Sequence, residues 1–234
     1  MNRQVKLSLG AYTFGAAVLM YGPTMATAAS PEASPSALVS LAVHNAEASG
    51  WVHETSLFTG SGHNVTSTND VGTTVGRQVI ESNGAHATVL VVGGNAYIYG
   101  DVKAIATYFD ISTIDPQKYA NRWFEVTSSS PGFSTVSDAV TLASDFGHVA
   151  LAGNLKEGRS QLVDGHRVVP VTGRIAATPQ TPAANGTLYI TTTGTVLPVQ
   201  FRLAGKGLQS TTSWSKWGHP VQITAPRSAT LLNS

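Results

Sequence analysis

The chain has 234 residues, of which 42% are hydrophobic and 12% charged, with a formal net charge of +1 and no cysteine. This composition excludes a disordered chain, which combines low hydrophobicity with a large net charge, and a nucleic-acid-binding protein, which carries a surplus of lysine and arginine. The lack of cysteine excludes disulfide scaffolds, thiolate metal sites, cysteine nucleophiles and thioether lipid attachment. Polarity comes instead from serine and threonine, and threonine favours strands because its branched side chain fits a pleated surface.

The amino terminus has the layout of a secretory signal peptide. Arg3 and Lys6 form a cationic start, residues 7–21 are uncharged and mostly apolar, and small residues at 26–28 provide an Ala-x-Ala cleavage site. The apolar run is shorter than the roughly 20 residues that cross a bilayer, which disfavours a permanent anchor. We therefore expect an exported protein with the following organisation: signal peptide 1–28, linker 29–35, a single domain 36–227 and a C-terminal tail 228–234.

The first part of the domain predicts one helix followed by strands. Residues 36–49 carry an apolar stripe at helical spacing, with Ser36 as a possible cap and Gly50 after the end. Turn residues then separate short strand-like runs at 51–58, 64–68, 77–82, 85–92 and 96–99. The strongest hairpin signal is Asn83-Gly84, because a tight hairpin turn needs the positive φ that these residues tolerate.

The middle of the chain changes to helical spacing. Asp101 can cap a helix whose apolar face is Val102, Ile105, Ala106 and Phe109, and Asp115 can cap a second, short helix. A strand is predicted at 122–127. Residues 134–147 predict one continuous amphipathic helix, with its stripe formed by Val136, Ala139, Val140, Ala143 and Phe146.

Strand-like runs return in the last third, at 160–163, 166–172, 187–193, 198–204, 208–214 and 221–224. About ten strands with a few helices favour an α+β fold, in which a large curved antiparallel sheet carries the helices on its concave face. The helices must lie on one face because their apolar stripes need somewhere to be buried. A strongly curved sheet covered in this way can enclose an apolar space.

Several patterns have a chemical interpretation that their surroundings do not support. Residues 153–160 resemble a phosphate-binding loop, but Arg159 stands where lysine is needed and a strand follows instead of a helix, so a simple turn is favoured. The seven histidines lack metal-binding spacing, and no GxSxG motif is present. Asp110 and Asp115 are near each other, but Asp115 precedes Pro116 as a helix cap does. We predict no catalytic residues, no metal and no cofactor.

The segment Trp214-Ser215-Lys216-Trp217 has two interpretations. Indole carries both apolar area and a hydrogen-bond donor, so the pair could form a wet aromatic surface that contacts a ligand or a membrane. Core or rim packing is the favoured alternative.

Six segments, taken in order, resemble the LppX/LprG-type lipoprotein family of mycobacteria and their relatives, over residues 36–226 of this chain. The segments that carry the resemblance are 93–100 (GGNAYIYG), 121–126 (NRWFEV), 164–171 (DGHRVVPV), 188–190 (LYI), 197–199 (LPV) and 214–218 (WSKWG). The resemblance implies a half-barrel of antiparallel strands around helices, similar to the LolA and LolB carriers. It also implies an apolar cavity for the acyl chains of lipids or lipoglycans, and no catalytic residues.

One departure from the family bears on localisation. The family usually carries a lipobox cysteine at the mature start, whereas Ala28-Ala29-Ser30 occupies that region here. We therefore expect a protein that is secreted or held in the cell envelope without a lipid anchor.

The function predicted from this resemblance is a secreted lipid or lipoglycan carrier, acting as a monomer with transient contact to a membrane surface. Its partner is a lipid or acylated glycolipid, bound by apolar burial. The predicted ligand-binding residues, each of which could equally be ordinary core, are Val140, Phe146, Leu188, Ile190, Val199, Phe201 and Leu203. The alternative is a secreted protein-interaction or structural module without a ligand cavity; a hydrolase has no supporting sequence feature.

Overall fold

The computed structural model describes residues 34–60, 62–109, 115–130, 132–147, 149–177 and 183–232. The predicted signal peptide, the predicted linker up to residue 33 and Asp110 lie outside the described residues. Within these ranges, no helix combines the length and apolar character that a membrane span requires.

The described residues form five helices and thirteen strands. The helices are α1 (Pro35–Ala48), α2 (Val102–Tyr108), α3 (Pro116–Tyr119), α4 (Phe133–Ser137) and α5 (Leu142–Gly147), with a 3₁₀ turn at Asp138–Val140. The first six strands are β1 (Trp51–Gly60), β2 (His63–Gly72), β3 (Gly76–Ser82), β4 (Ala85–Val92), β5 (Asn95–Gly100) and β6 (Phe124–Thr127). The others are β7 (Ala152–Glu157), β8 (Gln161–Val163), β9 (His166–Ile175), β10 (Ala184–Thr191), β11 (Pro198–Gly205), β12 (Leu208–Ser215) and β13 (Thr230–Leu231).

All described strands belong to one open sheet. Its order is β13-β6-β5-β4-β3-β2-β1-β12-β11-β10-β9-β7, with β8 also paired to β9. Neighbours are antiparallel except β13 and β6, which are parallel. The sheet consists of two meanders, β1–β6 and β9–β12, which the pairing of β1 with β12 joins in the middle. The predicted α+β class with a large curved antiparallel sheet is confirmed.

The helices pack on one face, which we call the inner face. α1 contacts β7, β10 and β11, whereas α2 contacts β4 and β5 and α5 contacts β2. Because side chains alternate along a strand, β1 turns Val52, Glu54, Ser56 and Phe58 inward and Trp51, His53, Thr55 and Leu57 outward.

The apolar core of the inner face is divided. The largest cluster lies around α1 and α5 and includes Val52, Leu188 and Trp214. A second cluster around α3 and α4 includes Ile98 and Phe124, and a third beside α2 includes Ile80. Two sets of helices therefore fill opposite halves of the half-barrel.

The predicted continuous helix at 134–147 is wrong. Thr141 is extended (φ −121°, ψ 142°) and bridges to Gly72, so the segment becomes α4, a 3₁₀ turn and α5. The cause is tertiary: a Cβ added to Gly76 would collide with the carbonyl oxygen of Val140. Glycine thus lets the backbone of residue 140 lie directly on β3, a contact that a regular helix at this position would not make.

Two predicted caps are confirmed and one is corrected. The carboxylate of Asp101 accepts hydrogen bonds from the backbone N–H of Ala104 and of His86, both at 2.7 Å. That of Asp115 accepts from the N–H of Gln117 at 3.0 Å. The helix α1 is capped by Ser34 instead of Ser36, because the chain already turns helical at Pro35.

Other expectations need correction. In α2 the buried positions are Ala104, Ile105 and Tyr108, while Ala106 is exposed, since the buried face is centred on residue 105. Residues 152–157 form the edge strand β7 instead of a turn, because β9 offers them a free edge. Residues 221–224 do not form a strand. They lie in the connection between β12 and β13, where no neighbouring strand pairs with them.

Candidate functional site

The inner face over β3, β2, β1, β12 and β11 carries four successive rows of side chains, which the strand register aligns. Row one contains Gln78, Asn69, Glu54 and Trp214. Row two contains Ile80, Ser67, Ser56, Thr212 and Phe201. Row three contains Ser82, Val65, Phe58, Ser210 and Leu203, and row four contains His63, Gly60, Leu208 and Gly205.

Five inward residues of rows two and three stay partly exposed, although residues on both sides of them are buried. We call them the central furrow: Ser56, Phe58, Ser67, Leu203 and Ser210. The furrow lies between the parts of the sheet that α1 and α2 contact. Its floor is made of small hydroxyl side chains, with Ser56 Oγ and Thr212 Oγ1 hydrogen-bonded at 3.0 Å.

A groove lies at the rim beside row four, between the β1–β2 and β11–β12 hairpins. Its volume is ≈ 490 Å³, and it is lined by Thr59, Gly60, Gly62, His63, Asn64, Gly205, Gly207, Leu208 and Gln209. Gly60 and Leu208 are cross-strand partners in row four, next to Phe58 and Ser210 of the furrow. From Gly60 to Glu54 the strand rises about 20 Å, so groove and furrow follow one another along the direction of β1.

The inner end of this line is polar and buried. Glu54 is buried, and its carboxylate accepts hydrogen bonds from Asn69 Nδ2 at 2.7 Å and from Trp214 Nε1 at 3.1 Å. The Trp214 ring packs on Phe146 of α5 at a centroid distance of 5.2 Å. Asn69 is also buried, and no described residue hydrogen-bonds to its Oδ1.

The outward face of the same strands carries an ion-pair network. Asp70 accepts a hydrogen bond from His53 Nδ1 at 2.8 Å and another from Arg77. Burial on its own raises the pKa of Asp70, but the hydrogen bonds and charges of His53 and Arg77 outweigh it and leave the pKa below its usual value. The network therefore joins β1, β2 and β3 on the side opposite the furrow.

The structure brings five of the seven predicted ligand-binding residues together and separates the other two. Phe146, Leu188, Ile190 and Phe201 are buried members of one core cluster, and Leu203, partly exposed in the furrow, packs against that cluster. Val140 belongs to the second cluster, because the interruption at Thr141 divides the predicted stripe.

Val199 is the exception among the strand residues. It packs with Val168 and Tyr189 on the outer face instead of beside Phe201. The register between β10 and β11 shifts between Tyr189 and Ile190, so β11 has an extra residue there. Such a bulge breaks the strict alternation on which the prediction depended.

Sequence reasoning missed the polar members of the site. Glu54 stands two residues after Val52 in a strand, so alternation already placed a charge on the buried face. That is a usable signal, since carboxylates are rarely buried without partners. The serines of the furrow give no comparable signal, because serine is common on either face.

The remaining patterns have structural roles or none. Trp214 is buried, and both it and Trp217 stack on Phe146, at 5.2 and 5.8 Å, so the packing interpretation of this pair is confirmed. Residues 153–157, within the loop-like sequence, lie in the mostly exposed strand β7. In the described ranges, no three His, Cys, Asp or Glu side chains are grouped to hold a metal ion.

No protein-family model and no curated protein matches this sequence. Among solved structures, LprF from Mycobacterium bovis is similar, with a TM-score of 0.56 and 15% identity over 86% of this chain and 99% of LprF. The lipoprotein LppX from Mycobacterium tuberculosis is also similar, with a TM-score of 0.53 and 18% identity over 82% of this chain and 100% of LppX. The chain therefore has the fold of these two mycobacterial proteins, and the architecture implied by the sequence resemblance is confirmed.

Proposed function

We propose that this protein is a non-catalytic carrier that holds the acyl chain of a lipid or lipoglycan along the central furrow. The observation that supports the proposal most directly is the partial exposure of five inward-facing residues between two filled halves of the barrel. The sequence segments that resemble the LppX/LprG-type family, together with the fold shared with LprF and LppX, support membership of that family.

The chemistry of the furrow suits a hydrocarbon chain. Phe58 and Leu203 supply apolar walls at row three, and the buried Phe201 and Ile80 flank row two. The serine side chains of the floor are small and contribute little bulk between these walls. Each methylene removed from water contributes about 0.8 kcal/mol. A long acyl chain therefore binds without a charged recognition group, because the summed gain exceeds the entropy that the chain loses on binding.

The predicted ligand-binding residues take different roles in this proposal. Phe201 and Leu203 contact the chain, Leu188, Ile190 and Phe146 support them from the core, and Val140 and Val199 do not take part. The rim groove, with ≈ 490 Å³ of space, is the entrance. The carrier is exported by its predicted signal peptide and, because the chain has no cysteine, it carries no thioether anchor.

A bulky residue in the furrow tests the proposal. Ser67→Phe places a ring on the floor of row two and should weaken binding of a fluorescent fatty-acyl probe by about tenfold or more, because the ring takes the space of several methylenes. Titration of probe fluorescence measures the effect.

The matched control is Thr68→Phe, one residue along the same strand and exposed on the outer face. It should bind the probe as the unmodified protein does. Equal affinity in both variants, with both folded by circular dichroism, would show that the chain does not lie in the furrow. A protein from its native host that retains a stoichiometric protein partner and no extractable lipid would favour the interaction module instead.

A further inference from the structure

Glu54 and Asn69 form a buried polar pair at the inner end of the furrow. Glu54 is 4% exposed and Asn69 is 3% exposed, and each lies among apolar neighbours such as Val52 and Val71. Burying polar groups in this way is costly unless hydrogen bonds satisfy them. The carboxylate has two neutral donors, at 2.7 and 3.1 Å, but Asn69 Oδ1 has no partner among the described residues.

The unpartnered atom is an acceptor, so only a group that carries O–H or N–H can satisfy it. The neighbouring carboxylate of Glu54 repels anions, which excludes a phosphate or a free fatty-acid head group. Within the part of the chain that the structure describes, no lysine, arginine or histidine forms an ion pair with Glu54. A neutral hydroxyl is a donor that fits an amide oxygen beside a carboxylate already bonded to neutral groups.

The position of Asn69 connects it to the furrow. On β2 it lies two residues from Ser67, on the same face, and on β1 Glu54 lies two residues from Ser56. Two residues of strand span about 7 Å. A ligand whose chain follows the furrow to row two therefore ends about 7 Å along the strand from the position of Asn69.

We propose that Asn69 Oδ1 accepts a hydrogen bond from a neutral hydroxyl on the part of the ligand that reaches the inner end of the furrow. This proposal rests on the proposed carrier function and narrows its ligand to a hydroxyl-bearing, uncharged amphiphile. The hydroxyl belongs either to a polyol head group or to the end of a hydroxylated acyl chain. Glu54 is a positioning residue, because its carboxylate accepts from Asn69 Nδ2 and so turns Oδ1 away from itself.

The experiment compares three neutral probes of equal chain length: a monoacylglycerol, a chain-terminal hydroxy-acyl methyl ester and the unsubstituted methyl ester. Competition against the fluorescent acyl probe measures their affinities. We expect one hydroxylated probe to bind the unmodified protein about three- to tenfold more tightly than the plain ester, the usual effect of one hydrogen bond. The probe that gains identifies which source supplies the hydroxyl.

Two variants locate the effect. Asn69→Leu should abolish the preference for the hydroxylated probe, whereas Gln78→Leu, which changes its buried neighbour in row one, should keep the preference. If Asn69→Leu does not fold, a crystal structure of the unmodified protein with the hydroxylated probe bound decides the matter, because it shows which atom accepts from the hydroxyl.

The outcomes separate the two proposals. Failure of all three probes to bind would overturn the carrier function itself. Equal binding of the three probes, or a preference that survives Asn69→Leu or disappears equally in Gln78→Leu, would overturn only the hydroxyl subsite. A crystal structure with a hydroxylated probe bound and Asn69 Oδ1 bonded to an ordered water instead would overturn it as well.

Discussion

At the scale of single residues, the sheet is polar at its centre on both faces. Glu54 and Asn69 face inward, and their direct neighbours along the strands, His53 and Asp70, face outward. The sheet therefore has side-chain hydrogen bonds on both faces at this point. Buried charged groups of this kind stabilise only while their partners are present.

Asp70 makes the stability of the protein depend on pH. Its pKa is below 3.8 in the folded protein and near that value when unfolded, so the unfolded state takes up the proton first as pH falls. Its contribution is therefore complete above the unfolded pKa and is lost as the pH falls through the folded pKa. Asp70→Asn should cost about 1–2 kcal/mol near neutral pH and less at about pH 3, as measured by urea unfolding at both values.

Asp164→Asn is the control for that measurement. Asp164 is exposed in the β8–β9 turn, where its positive φ of 49° also suits asparagine. We expect it to change stability by less than about 0.5 kcal/mol at neutral pH. An Asp70→Asn protein with the same acid sensitivity as the unmodified protein would contradict the role of the network.

At the scale of elements, glycine decides where the segment 133–147 bends. Gly72 bridges to Thr141, and Gly76 lies under the carbonyl of Val140. These contacts separate the cluster around α5 from the cluster around α4. The division of the core between these two clusters depends on that close approach.

Gly76→Ala should destabilise the protein by about 3 kcal/mol, because the added methyl group collides with backbone that can give way only by lifting the segment from β3. Thermal unfolding followed by circular dichroism measures the change. Gly147→Ala, at the end of α5 with no atom within 4 Å of the added methyl group, should be neutral or slightly stabilising. Equal stability of the two variants would mean that the contact at Val140 is not a constraint.

At the scale of the whole molecule, the C-terminal segment ties the two meanders together. It leaves β12 near Trp51, whose carbonyl accepts from the N–H of Gly218 at 2.9 Å, and it ends as β13 on β6. The residue after β13, Leu232, is buried in the cluster around α3 and α4. The last described residues thus complete the edge of the sheet farthest in order from β12.

Leu232→Ala should cost about 2–4 kcal/mol, the usual effect of removing a buried leucine side chain. Its neighbour Leu231 is 49% exposed, so Leu231→Ala should cost less than about 1 kcal/mol. Chemical denaturation of the two variants measures both values. The slope of the unfolding free energy against denaturant concentration should be the same in both variants and in the unmodified protein. A Leu232→Ala protein as stable as Leu231→Ala would show that the C-terminal segment adds nothing to the fold.

Local chemistry determined much of the fold. The Asn83-Gly84 turn has the expected positive φ values of 48° and 78°, and the caps at Asp101 and Asp115 form as predicted. Strand periodicity predicted most of the strands and the turns between them, because alternation and turn chemistry act between residues that are close in sequence. The resemblance carried by the ordered segments added the half-barrel architecture.

Only the tertiary structure decided the site. The furrow floor depends on Ser56 lying beside Thr212, residues 156 positions apart, and the pairing of β1 with β12 creates that contact. The bulge that turns Val199 outward and the glycine contact that interrupts residues 134–147 likewise depend on neighbouring strands. The sequence determines which residues alternate between the two faces of a strand and which residues form turns. The register between strands that are distant in sequence decides which residues share a row. The proposed site consists of such rows, so only the tertiary structure shows it.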